Sequence, residues 1–114
     1  MAKLKFIDLF CGIGGFRQAL VERGHRCVFS SDWDPHAQEV YLLNYGESPK
    51  GDLTDLSEKD FPVHDLLCGG FPCQPFSISG NQRGFEDGRG TLLHEVLRIA
   101  KYKQPSVLLL ENVR

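Results

Sequence analysis

Apolar and polar positions follow two rhythms along this chain, one short and one helical, and they take turns. Lys5 to Phe10 (KFIDLF) is a short apolar run with a β-branched residue, closed by CGIGG. FRQALVERG then sets Phe16, Ala19, Leu20 and Arg23 at helical spacing before Gly24. This predicts strand, glycine loop, helix. Arg26 to Ser30 (RCVFS) reads as a second strand and Asp32 to Pro35 as a turn. A helix begun at Pro35 carries Ala37, Val40, Tyr41 and Asn44 and stops near Gly46. Residues 47–62 are polar and turn-rich, with a minor strand around Asp52 and Leu53, and His64 to Cys68 (HDLLC) is a third strand. Residues 69–90 hold six Gly and two Pro without sustained periodicity. A loop that long in a compact domain is usually functional or disordered, and its aromatics argue against disorder. Thr91 is placed to cap a helix whose Leu92, Val96, Ile99 and Ala100 share one face, and Pro105 ends it before a buried strand, Val107 to Leu110.

Strands that alternate with helices, some of them apolar on both faces, predict an α/β domain with a mostly parallel sheet and right-handed crossovers. Ligands in such folds belong at the carboxyl ends of the strands. That rule gathers Phe10 to Gly15, Asp32 to Asp34, Asp52 with Leu53, Gly69 to Gln74 and Glu111 to Val113 onto one rim.

Composition narrows the class without changing the fold. A chain of 114 residues, 41% hydrophobic and 25% charged, suits one ordinary soluble domain or part of a larger one. The four cysteines form no dense framework and no signal peptide precedes them, so reduced thiols in a cytoplasmic compartment are expected. The longest apolar run, Val107 to Leu110, is too short to span a bilayer. A formal net charge of −2 lacks the footprint of an autonomous nucleic-acid binder. If the chain touches DNA, most phosphate contacts must come from elsewhere.

Three segments on the rim carry chemistry. Gly12, Gly14 and Gly15 let the backbone turn tightly and approach a ligand, but Arg17 stands where a dinucleotide fingerprint wants its third glycine, which disfavours NAD. Asp32, twenty positions after Gly12, can accept both hydroxyls of a ribose, and Trp33 offers a flat face to an adenine. An adenosine-containing cofactor fits, against the plainer reading of a tight turn with a solvated carboxylate. Cys73, between Pro72 and Pro75, sits on a backbone whose φ angles are partly preset, as a nucleophile needs. Cys27 and Cys68 read as small hydrophobes within strands, and Cys11 stays open, with packing the simpler role. A zinc site from His64, Cys68, Cys73 and His94 lacks the spacing of paired ligand knuckles, so no metal is expected. Glu111 follows an apolar strand, where low polarity would let it hold or lend a proton. The alternative is a solvated carboxylate at a strand end.

FIDLFCGIGGF, SDWD, GDLTDL, GGFPCQPFSISG with NQRGFEDGRGTLL, and ENV, in this order, resemble the first six motifs of the bacterial DNA cytosine-C5 methyltransferases of restriction and modification systems. The resemblance implies a Rossmann-like S-adenosylmethionine-dependent fold and methyl transfer to carbon 5 of a cytosine flipped out of the duplex. It implies Cys73 as the nucleophile that adds to carbon 6, and Glu111 as the group that holds the N3 and N4 edge of the base. It implies Phe10, Gly12, Ile13 and Gly15 around the methionine part and adenine of the cofactor, Asp32 at its ribose, and Trp33 on the adenine face. Asp52 and Leu53 fall at the adenine edge, with Pro72 and Leu92 closing the pocket. Ser77, Ser79, Arg83 and Arg89 fall in the loop that closes over double-stranded DNA. At the Asp32 position the family more often has Glu, so the ribose contact needs backbone adjustment or help from Asp34. The later motifs are not in this sequence. Residues 1–114 therefore correspond to the N-terminal part of a catalytic domain, without its last strands or its target-recognition region. Activity is expected to need a complementing polypeptide, and the chain alone to associate with such a partner or with itself. A transfer-RNA cytosine methyltransferase and a catalytically silent assembly subunit are the competing readings.

Overall fold

The computed structural model describes residues 3–72 and 92–113. Strand β1 (Lys5–Leu9) leads through the glycine loop into helix α1 (Gly15–Glu22), then β2 (Arg26–Ser31) and α2 (Pro35–Tyr45). Two 3-10 turns, Leu53–Asp55 and Glu58–Asp60, precede β3 (Leu66–Pro72), and α3 (Leu92–Lys103) leads to β4 (Val107–Val113). The four strands form one sheet in the order β2-β1-β3-β4, every pairing parallel. The expected α/β class is found, and the sheet reverses its direction of growth between β1 and β3.

Period-two alternation along β1 explains the layering. Phe6 faces Leu66, Cys68 and the α1 residues Phe16 and Leu20. Ile7 and Leu9 turn to the other side, where Leu67, Leu53, Phe61 and the α3 residues Leu92, Val96 and Ile99 complete an apolar cluster. Helices thus cover both faces. Phe6, Ile7 and Leu9 are wholly buried, and each contributes about 1.5–3 kcal/mol of transfer free energy. The helix ends follow local chemistry: Asp34 caps α2 by accepting from the His36 N–H at 3.1 Å, Pro35 opens it, and Gly46 closes it at φ 74°.

Three expectations need correction. The minor strand at Asp52 and Leu53 is a 3-10 turn, because the Asp52 carboxylate accepts from both Thr54 N–H (2.9 Å) and Thr54 Oγ1 (2.7 Å) and curls the chain. Extended pairing there is limited to a single bridge, Ser31 to Lys50. Strand β3 begins after His64 and runs on through Gly69 and Gly70, since β4 pairs with it in unbroken register from Leu66 opposite Val107 to Pro72 opposite Val113. The apolar run read as a buried strand is an edge, as expected of a domain without its last strands: Val107, Leu108, Leu109 and Leu110 are 37–50% exposed. Apolar composition on both faces reports what a strand is suited to touch, and among the described residues nothing pairs with the outer side of β4.

The glycine loop carries the tightest backbone constraint. Gly14 has φ 96°, and a Cβ built there would lie 2.2 Å from Cε2 of Tyr45. Gly15, one residue on, has open space. Gly14→Ala should therefore lose about 2 kcal/mol or more in urea denaturation, from strain and overlap together. Gly15→Ala should stay within about 1 kcal/mol of the parent. Equal stability of the two variants would overturn this account of the loop.

Candidate functional site

Every residue of the loop after β1 is held from the neighbouring β2–α2 unit. Cys11 N–H donates to the Ser31 carbonyl at 2.9 Å, and Gly12 N–H donates to Asp32 Oδ2 at 2.8 Å. Tyr45 Oη donates to the Gly14 carbonyl at 2.7 Å, and Asn44 Nδ2 reaches the Ile13 carbonyl at 3.5 Å. Arg17, the residue that breaks the dinucleotide pattern, donates to Tyr41 Oη and Glu47 and stacks over the Tyr45 ring at 4.9 Å. Tyr45 is a part of this clamp that sequence reasoning missed, although its i, i+4 spacing from Tyr41 on the inward face of α2 could have pointed to it.

Between the carboxyl ends of β1 and β3, where the strand order reverses, lies a cleft of about 270 Å³ lined by Phe10, Cys11, Gly15, Phe16, Gly70 and Glu111. Gly70 forms part of its wall. A methyl group there would come within 3.4 Å of both Phe16 Cε2 and Glu111 Oε1. Phe10 holds φ 55°, an uncommon value for a bulky residue, and meets the Trp33 ring edge-on at 6.0 Å. Trp33 is 46% exposed, so its ring is available to a ligand, and Ile13 stands out at the loop tip.

Several other sequence-chosen residues are already engaged or buried. Asp32 does not extend free from the rim: one carboxylate oxygen accepts from Gly12 and the other from Asp34 N–H at 2.8 Å. Asp34 in turn is occupied as the α2 cap. Leu53 and Leu92 lie buried with Phe10 in the α3-side core, beneath the rim and not on the cleft wall. Glu111 lies within β4, paired to Gly70, and is exposed, which among the described residues matches the alternative of a carboxylate open to solvent at a strand end. Pro72 ends β3 opposite Val113. Cys73, Ser77, Ser79, Arg83 and Arg89 lie outside the described residues, as does the Thr91 cap.

Burial silences the described thiols. It raises the Cys68 thiol to about 12 and pushes Cys11 higher still, with the Asp8 carboxyl adding to both. Cys27 is raised as well, chiefly by burial. None offers a thiolate near neutral pH. Asp8 itself is fully buried beneath the glycine loop, with Tyr41 Oη donating to its Oδ2 at 3.2 Å. Burial lifts its carboxyl to about 7 against the downward pull of Tyr41 and Arg17.

Comparison with known proteins gives a consistent set of similarities. The model of the family "C-5 cytosine-specific DNA methylase" matches residues 4–114. The Type II methyltransferase M.HhaI of Haemophilus parahaemolyticus is 59% identical over 111 residues, covering 97% of this chain and 34% of that protein. The Type II methyltransferase M.HaeII of Haemophilus aegyptius is 53% identical over 114 residues, covering 100% of this chain and 36% of that one. In structure, the S. pombe Dnmt2 methyltransferase aligns with a TM-score of 0.74 at 31% identity, over 98% of this chain and 37% of its own. The Entamoeba histolytica methyltransferase EhMeth aligns with a TM-score of 0.77 at 25% identity, over 99% and 39%. The chain spans about a third of the length of the curated relatives it matches. No helix among the described residues is long and apolar enough to cross a membrane.

The buried Asp8 predicts a pH dependence of stability. Its carboxyl binds a proton more tightly folded, at about 7, than in the unfolded chain, at about 3.9. Its contribution is therefore complete below pH ~4 and is lost as pH rises towards 7, by as much as about 4 kcal/mol. Asp8→Asn should flatten the fall in unfolding free energy between pH 5 and pH 8, as measured by urea titration. A variant with the parent's slope would show that Asp8 folds ionised.

Proposed function

Since the chain belongs to the family of C-5 cytosine-specific DNA methylases, we propose that it forms the cofactor-binding, cysteine-bearing part of an enzyme that methylates carbon 5 of cytosine in double-stranded DNA. The observation that carries this reading is the cleft at the reversal of strand order, where the glycine loop and Glu111 face each other across Gly70. Phe10 and Phe16 give it aromatic walls, and a carboxylate stands on its rim. Such a lining suits an adenosine ligand bearing a sulfonium charge. S-adenosylmethionine, bound there, would supply the methyl group. Phe10, Gly12, Ile13 and Gly15 would bound the ligand, Trp33 would stack on its adenine, and Asp52 with Leu53 would meet the adenine edge. Pro72 at the end of β3 would close the pocket, and Leu92, in one cluster with Phe10, would back it from the α3 side. Asp32 fits the ribose role in spite of its two backbone partners, because an ionised carboxylate accepts about four hydrogen bonds.

Cytosine is unreactive at carbon 5, so the reaction needs a group that adds to carbon 6 and moves electron density onto carbon 5. We assign this to Cys73, the residue next in sequence after β3, because burial holds the thiols of Cys11, Cys27 and Cys68 protonated. Glu111 would hydrogen-bond the N3 and N4 edge, which selects cytosine and stabilises the charge that develops during attack. Its exposure in β4 leaves it open to a base entering from outside. Ser77, Ser79, Arg83 and Arg89 supply hydroxyl and guanidinium contacts to phosphate. Selection of a DNA sequence and turnover are assigned to further sequence, carried on the same or a complementing polypeptide. The relatives are about three times as long as this chain, and the exposed edge of β4 is the surface such sequence would cover. The sequence FSISGNQRGFEDGRGTL resembles the DNA enzymes more than the transfer-RNA enzyme, and an assay with both substrates separates the two.

In protein that carries the complete set of motifs, Cys73→Ser should abolish covalent trapping on DNA containing 5-fluorocytosine, while Cys27→Ser should trap as the parent does. Trapping by Cys73→Ser would overturn the assignment. Glu111→Gln should lower turnover by roughly a hundredfold, the worth of about 3 kcal/mol of transition-state stabilisation, with little change in DNA affinity. A loss below about threefold in methyl transfer would mark Glu111 as a solvated strand-end carboxylate.

A further inference from the structure

Residues 52–60 follow the Ser31 to Lys50 bridge as two short 3-10 turns, and their own hydrogen bonds are local. Asp55 N–H donates to the Asp52 carbonyl at 3.1 Å, Leu56 N–H to Leu53 at 3.1 Å, and Asp60 N–H to Ser57 at 2.9 Å. Three-residue turns of this kind have little stability by themselves. Among the described residues, the hydrogen bonds that tie this segment to another element all come from one side chain, Arg98 of α3. Its Nη2 donates to the Leu53 carbonyl at 2.9 Å and to the Leu56 carbonyl at 2.8 Å, so it grips both ends of the first turn. Nη1 pairs with Glu58 in the second turn. Nε is held by Glu95, one turn back on α3, at 2.6 Å. The guanidinium side chain is only 19% exposed, and its neighbours Val96 and Ile99 pack in the same cluster as Leu53. The fork geometry of arginine is thereby used in full: one nitrogen is aimed by the helix, and the other two fix the segment.

We propose that Arg98 is a positioning residue for recognition of the adenine edge. It sets the angle at which Asp52 and the Leu53 backbone meet that edge, and the inference rests on the reading of those two residues as adenine contacts. Arg98 itself touches no ligand. Its effect is therefore on discrimination between bases, beyond any effect on stability. Adenine presents an amino group where hypoxanthine presents a carbonyl, so a correctly aimed carboxylate and N–H tell the two apart.

The test is titration of this chain, followed by NMR, with S-adenosylhomocysteine and with its inosine counterpart, in the parent, Arg98→Met, Arg98→Lys and Glu58→Gln. Each is measured at a temperature where circular dichroism shows it folded. The parent should prefer the adenine ligand. Arg98→Met should bind that ligand about tenfold more weakly, the worth of one good hydrogen bond, and its preference should fall towards unity. Arg98→Lys, which can still donate to both carbonyls, should be intermediate, and it carries the test if Arg98→Met does not fold. Glu58→Gln, which loses only an exposed arm, should keep the preference. If the parent discriminates and both Arg98 variants discriminate equally well, the positioning role is overturned while the adenine site stands. If the parent shows no preference or no binding, the adenine reading of Asp52 and Leu53 fails, and this inference falls with it.

Discussion

The hydrogen bond from Gly12 N–H to the Asp32 carboxylate joins the ends of β1 and β2, and the geometry of the rim depends on it. The glycine loop has no regular structure to hold it, and a glycine-rich segment loses more conformational entropy on ordering than any other. A charge-assisted bond is the strong type suited to offset that cost. The Cys11 to Ser31 bond extends the β1–β2 contact by one residue, and the Tyr45 hydroxyl catches the loop at its far side. With the loop fixed, α1 starts at Gly15 in the direction that places Phe16 on the cleft wall. Asp32 is thus part of the framework before it is part of any ligand site. This suits the shorter acid at this position, since its two carboxylate oxygens lie within reach of the backbone on either side.

The two faces of the sheet differ in character, and the difference separates packing from chemistry. On the α3 side the apolar cluster is broad, as its α-helical spacing promised, with Ser31 opposite Leu9 as a small polar intrusion. On the α1 and α2 side, Asp8 and the thiols of Cys27 and Cys68 interrupt the apolar layer. A carboxyl at this depth is tolerated because it can stay protonated and because Tyr41 meets one of its oxygens. It also raises the cysteines around it, so the interior of this face is chemically quiet. Reactivity is left to the rim.

Where the sequence could be read, the reason was periodicity or local capping. The spacing of Leu92, Val96 and Ile99 defined the buried stripe of α3, and Pro35 and Gly46 bounded α2, because those signals act within a few residues. Parallel order and the rim followed from alternation of strands and helices. The short strand placed at Asp52 failed because an Asx-type bond to Thr54 outcompetes pairing, a contest that composition does not reveal. The buried reading of the apolar run Val107 to Leu110 failed for another reason, while the edge it forms matches a domain without its last strands. Apolar identity states a preference for burial, whereas sheet order decides whether a neighbour is supplied. Arg98 was invisible because its partners, Leu53 and Leu56, are distant in sequence and bond through backbone carbonyls that every residue possesses.

The strand order β2-β1-β3-β4 has a consequence for how the chain leaves the ribosome. β2 pairs with β1, which is already made; β3 adds to the other side of β1, and β4 adds to β3. Each strand finds a finished template when it emerges, and no strand has to wait for one encoded later. Parallel pairing over long separations is intrinsically slow, yet here the search is always for a single open edge. Assembly can therefore proceed in the order of synthesis. At each stage the growing edge is the outermost strand, and after β4 that edge presents the row from Val107 to Leu110.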